Sequence, residues 1–133
     1  MSTLELTEVR AAAAAALAPA GDDDPNVYAD FPDAVHPPCI FIDWVDPWLT
    51  PQTVGMSNGG YWEGRLDVVC VASRVQPGAG VTKLEELVSF AISRLRADDY
   101  QWPAATLQAP RVFTIAGVPY LGARVSYHVP VSI

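Results

Sequence analysis

Thr82-Lys83-Leu84-Glu85-Glu86-Leu87-Val88-Ser89-Phe90-Ala91-Ile92-Ser93-Arg94-Leu95 is the stretch that organises the rest of the chain. Leu84, Leu87, Val88, Ala91, Ile92 and Leu95 recur at i, i+3, i+4, i+7, i+8 and i+11, the spacing of a helix with one apolar face. Thr82 and Glu85 have the form of a capping box. Arg94 and Arg96 favour the C-terminal end through the helix dipole, and Asp98-Asp99 with Pro103 mark the exit. A helix of this kind must lay its stripe on another element, and the flanking sequence supplies strands.

Upstream, Tyr61 to Ser73 alternates Leu66, Val68, Cys70 and Ala72 against Arg65, Asp67, Val69 and Val71, a strand with one fully apolar face. Cys39-Ile40-Phe41-Ile42-Asp43-Trp44-Val45 reads as a second strand, closed by Asp46-Pro47. Between them Trp48 to Gly60 forms an arm, and its Asn58-Gly59 tip favours a two-residue hairpin turn. The crossing from Asp22 to Pro38 has prolines at 25, 32, 37 and 38 and no periodicity. Before it, Ser2-Thr3-Leu4-Glu5 reads as a capping box for a first helix with Leu6, Val9, Ala13 and Leu17 on one face. Pro19 and Gly21 end that helix.

Downstream, Arg111 to Ile115 and Tyr120 to Val131 read as a hairpin turning at Ala116-Gly117-Val118-Pro119. Pro130 lacks an amide donor and puts this end on a sheet edge. The order predicts one α+β domain over residues 1–133. Its expected form is a mainly antiparallel sheet, two helices packed on one face, and a projecting β-hairpin arm.

Composition narrows the class. The chain has 133 residues, half of them apolar and 17% charged, enough to bury a core without disulfides or metal. The net charge of −7 argues against a general nucleic-acid surface. The longest apolar run, Ala11 to Ala18, is far short of the about 20 residues that span a bilayer. Glu5 and Glu8 occupy the place of a signal peptide's basic region, so a soluble intracellular domain is expected. Cys39 and Cys70 then read as reduced, packed thiols, with a disulfide between neighbouring strands as the alternative. Residues 1–67 hold eleven acids and two bases (−9), whereas residues 68–133 hold four acids and six bases (+2). A head-to-tail oligomer can use that asymmetry; chance distribution over a solvated surface is the other reading.

Candidate chemistry is sparse. His36 and His128 have no adjacent nucleophile or acid in a recognisable motif, and the Cys and His residues are scattered singly, unlike zinc ligands. Asp22-x-Asp24-x-Asn26 begins like a calcium loop, but Val27 stands at the turning glycine and Asp33 at the bidentate glutamate. Gly59-Gly60 and Gly78-x-Gly80 belong to no phosphate-binding fingerprint. No catalytic residue, metal ligand or cofactor site is expected.

Taken together, several segments carry a resemblance. They are the Ala-rich opening helix, the strand entered by Pro38-Cys39-Ile40-Phe41-Ile42, the arm leading into Arg65-Leu66-Asp67-Val68-Val69-Cys70-Val71, the helix Leu84 to Leu95, and Ile115-Ala116-Gly117-Val118-Pro119-Tyr120-Leu121-Gly122-Ala123-Arg124-Val125. In order and size, over nearly the whole chain, this resembles the tail terminator proteins of siphovirus-type bacteriophages. The resemblance implies a non-enzymatic virion protein that forms a ring, commonly a hexamer, at the head-tail neck. Such a ring caps the tail tube, stops its polymerisation and provides the head-joining surface. The implied partners are further copies of the chain, the tail-tube protein and a head-completion or connector protein, with DNA only passing through the ring. The implied location is the virion, and the host cytoplasm during assembly. Two other readings stand beside it: another phage neck protein, or a small cellular ligand-binding module lined by Trp48, Trp62, Trp102 and His128.

The candidate assembly surface is the arm: Trp48, Leu49, Val54, Met56, Asn58, Gly59 and Trp62. So apolar a hairpin on so small a domain is expected to meet a partner, or else to fold back over the sheet and complete the core.

Overall fold

A computed structural model describes residues 4–18, 24–30, 36–51, 62–74, 80–98, 102 and 106–132. The elements run β1 (Leu4–Glu5), α1 (Leu6–Leu17), β2 (Asn26–Tyr28), β3 (Cys39–Pro51), β4 (Trp62–Arg74), α2 (Gly80–Ala97), β5 (Thr106–Leu107), β6 (Arg111–Ile115) and β7 (Val118–Ser132). The strands make one sheet in the order β1-β7-β4-β3-β2, with β5 and β6 also paired to β7.

The fold is α+β, but the expected mainly antiparallel sheet is corrected: the sheet is mixed and curls on itself. β1 runs parallel to β7 and β2 parallel to β3, while β4 is antiparallel to both of its neighbours. The two parallel strands flank α1 in sequence and are only two and three residues long, too short for an alternating pattern to register. Both were hidden inside segments read as a helix cap and an irregular crossing. Leu4 and Glu5 therefore pair with Val131 and Ser132 instead of capping a helix. Glu5 occupies the N-cap position of α1 with no side-chain cap bond. At the second helix, the start at Gly80 likewise puts Thr82 inside the helix.

Val9, Ala13 and Leu17 of α1 join Leu84, Leu87, Val88, Ala91 and Leu95 of α2 in one buried cluster on one face of the sheet. Beneath them lie Ile40, Ile42, Leu66, Val68, Cys70, Ala123, Val125, Tyr127 and Val129. A fully buried Leu or Val stabilises by about 1.5–3 kcal/mol, so this layer supplies most of the driving force. Ile92 lies at the margin of the cluster, partly buried.

The opposite face carries a smaller core of Cys39, Phe41, Val69, Val71, Ile115 and Tyr120, with Phe113 and Val118 packed against it. The β6–β7 hairpin covers this face. Its two-residue turn has positive φ at Ala116 (52°) and Gly117 (79°), as a twist-compatible hairpin turn requires. A bulge on β4 between Val71 and Ser73 bends the sheet toward the hairpin. Gly122 lies at this crossing: a Cβ there would stand 2.7 Å from the Cys70 carbonyl oxygen and 2.9 Å from Phe113. β7 is central, so Pro130 is not on an edge as expected. It lies opposite Glu63 of β4, and on its other side falls between the segments paired to β5 and β1.

Gly122→Ala is expected to destabilise by about 1–3 kcal/mol through overpacking against backbone. Ala116→Asn is expected to stabilise by a few tenths to about 1 kcal/mol by relieving a left-handed alanine. Urea titrations of both variants measure these opposite signs.

Candidate functional site

On the face away from the helices, the centre of the sheet is polar. The register sets Asp43 of β3 opposite Asp67 of β4, and Asp67 opposite Ser126 of β7. Two carboxylates directly opposite repel, and Asp67 is only 1% exposed. Arg124 resolves the conflict. Its Nη1 donates to Asp67 Oδ2 at 3.0 Å and to Asp43 Oδ2 at 3.2 Å, while Ser126 Oγ donates to Asp67 Oδ1 at 2.6 Å. The guanidinium also stands over the Phe113 ring, 5.2 Å from its centroid. Both oxygens of the buried carboxylate are thus bonded, the condition under which an interior charge is tolerated.

One step along the sheet, β3 bulges. Trp44 pairs with Leu66 and Leu49 with Gly64, so residues 45–48 stand against Arg65 alone. The strand does not close at Asp46-Pro47 as the sequence suggested; it loops outward and resumes to Pro51. Pro47, with no N–H, is suited to an unpaired stretch of this kind. Arg65 Nη1 donates to the Asp46 carbonyl at 2.6 Å and pins the bulge, while its buried Nε has no hydrogen-bond partner among the described residues. Asp43, Asp46, Arg65, Asp67, Gln108 and Arg124 line an open cleft of about 350 Å³ here. The bulge turns Trp48 outward, 47% exposed, with its ring 5.7 Å from that of Trp44.

Of the other predicted surface residues, Leu49 and Trp62 are partly buried against the helix-side core. Val54, Met56, Asn58 and Gly59 lie outside the described residues. The alternative binding-module lining does not converge. Trp102 is buried in the helix-side core and Trp62 packs against it, Trp48 faces out, and His128 is exposed on the opposite face with Nδ1 2.8 Å from Glu63 Oε1.

The cysteines are free and on opposite faces. Cys39 is paired with Val71 and Ile40 with Cys70, so the two thiols point away from each other. Burial pushes Cys39 up to about 11; burial first, then the neighbouring Cys39, pushes Cys70 up to about 12. Neither is a thiolate nucleophile near neutrality. In the acidic turn, Asp24 pairs with Arg94 at 3.2 Å, and the Asn26 amide donates to the His36 carbonyl at 3.1 Å; Asp22 lies outside the described residues. Among the described residues no group of three His, Cys, Asp or Glu side chains is placed to hold a metal ion, and no helix is long and apolar enough to cross a membrane. The Arg94–Asp24 and Arg124–Asp43–Asp67 contacts join bases of the second half to acids of the first, so part of the charge asymmetry is neutralised within one chain.

On the helix side, Val81, Val88 and Ile92 of α2 face Leu107, Pro110 and Ala123 across an apolar groove of about 690 Å³. Val81 (47%) and Leu107 (53%) on its rim are exposed. The sequence reading missed both this groove and the charged seam. The seam's signal was the shared parity of Arg65 and Asp67 with Arg124, Ser126 and His128 on alternating strands, but only the register joins them. No family model matches the chain, and no curated protein matches it.

Arg124→Met leaves Asp67 and Asp43 facing each other and is expected to lose about 3–5 kcal/mol at pH 7. Chemical denaturation of both proteins at pH 7 measures it. Separately, neither thiol should react with a disulfide reagent at pH 8 until the protein is unfolded.

Proposed function

We propose that this chain is a structural assembly protein of the phage tail terminator type. In this role copies of it form a ring on the head-proximal end of the tail tube, stop tube growth and present a surface to the head-completion or connector protein. The observation that carries this reading is the distribution of apolar surface. Trp48 stands out from one strand, and Val81 and Leu107 stand out beside the groove on another edge of the sheet. A closed ring of identical subunits needs two different surfaces of this kind on each copy. The order of the elements supports it further: an opening helix, a long strand pair, an amphipathic helix and a long closing strand on one sheet, the order on which the resemblance rests. The polar seam fits a structural role, since Asp67, Arg124 and Ser126 bond one another.

The test is to add the purified chain to its tail-tube protein during polymerisation and to disrupt its gene in the phage. Capped tubes of uniform length, and overlong headless tails on disruption, are the expected outcomes. Binding to heads without any effect on tubes would assign it to another neck position, and no effect on either would overturn the reading.

A further inference from the structure

Four large apolar side chains among the described residues stand about half out of the surface: Trp48, Val81, Leu107 and Val112. Three share one edge. Val81 and Leu107 rim the α2 groove. Val112 is paired with Leu121, which packs against the helix-side core, and paired residues share a face of the sheet. Trp48 is alone. It belongs to β3, separated from β5 by β7 and β4, or three strand spacings of roughly 4.8 Å each. Trp48 does not line the groove of its own chain.

We infer that the Trp48 indole of one copy seats in the groove between α2 and residues 107–110 of the next. This rests on the ring reading above and names the contact that would build the ring. The groove, about 690 Å³, is lined by aliphatic side chains of Val81, Leu84, Val88, Ile92 and Leu107, a suitable bed for a flat aromatic anchor. Charge agrees with shape. Asp46, two residues before Trp48, is exposed and its carboxylate has no partner among the described residues. Arg111, directly after the groove residue Pro110, is exposed and without a carboxylate partner there too. Among the described residues Glu85 is the one charged residue lining the groove, on its helix side, so Asp46 enters on the Arg111 side, and the contact has a single direction. Arg65 is the positioning residue: its bond to the Asp46 carbonyl holds the bulge that turns Trp48 outward.

A one-directional contact has a diagnostic test. Trp48→Ala lacks the anchor and keeps the groove; Leu107→Asp keeps the anchor and lacks the groove. Light scattering after size exclusion, over a range of protein concentrations, should show each variant associating at least about tenfold more weakly than wild type. Mixed, the two should form a 1:1 dimer that cannot extend. Asp46→Arg and Arg111→Asp should each weaken association, and the double substitution should restore it; this pair carries the test if Trp48→Ala fails to fold. Wild-type chain that stays monomeric up to about 1 mM overturns the inference and leaves the tube-capping test to judge the function. Rings that persist in both single variants, or a mixture that stays monomeric, overturn this contact and leave the ring reading standing.

Discussion

A carboxylate buried at the centre of a sheet must be neutralised where it stands, and for Asp67 the neutralising group arrives from 57 residues away. Arg124 reaches it only if β7 lies antiparallel to β4 in one register, with Val69 opposite Arg124 and Asp67 opposite Ser126. Sliding β7 by a single residue would turn Arg124 into the helix-side core and leave Asp67 facing Asp43 unscreened. The same step would send Tyr127, Val129 and Val131 out of the core. Apolar pattern and charge pattern therefore specify one register together. The polar seam acts as a key for strand alignment as much as a source of stability, the role for which buried ion pairs are best attested.

The bulge in β3 is the counterpart of that order. Next to a strand pair held in strict register, residues 45–48 leave the ladder and return to it. One arginine bonds to the bulge at this point, and its Nε has no hydrogen-bond partner among the described residues. Bulges re-aim side chains, and here the re-aimed residue is a tryptophan, half exposed beside the Trp44 ring.

How much of this was legible in the sequence follows the length of the patterns. Helix α2 and strands β4 and β7 carry six or more residues of unbroken periodicity, and their inward faces were readable position by position. The parallel strands β1 and β2 were not, because two or three residues cannot display a period. Leu4 and Glu5 looked like the start of a helix because they precede one, and only pairing with Val131 and Ser132 makes them a strand. Pro130 misled because a proline forbids a donor, not a neighbour: a central strand tolerates it where partners change. Asp46-Pro47 looked like a strand end for the same local reason. For the candidate site, Trp48 was visible as an apolar residue in an unusual place. The seam was not, because Asp43, Asp67 and Arg124 come from three strands and meet only through register.

β7 is also the last of the described strands to be synthesised, and it pairs with β1, β4, β5 and β6. Until it leaves the ribosome, β4 has one unpaired edge, β1 has nothing to dock on, and Asp67 has no counter-ion. The nascent chain can form α2 and the β3–β4 pair but cannot close its sheet until residues 118–132 have emerged. A chain cut short before Val118 keeps β4 open along one edge, leaves Asp67 uncompensated and lacks the strand that organises the rest.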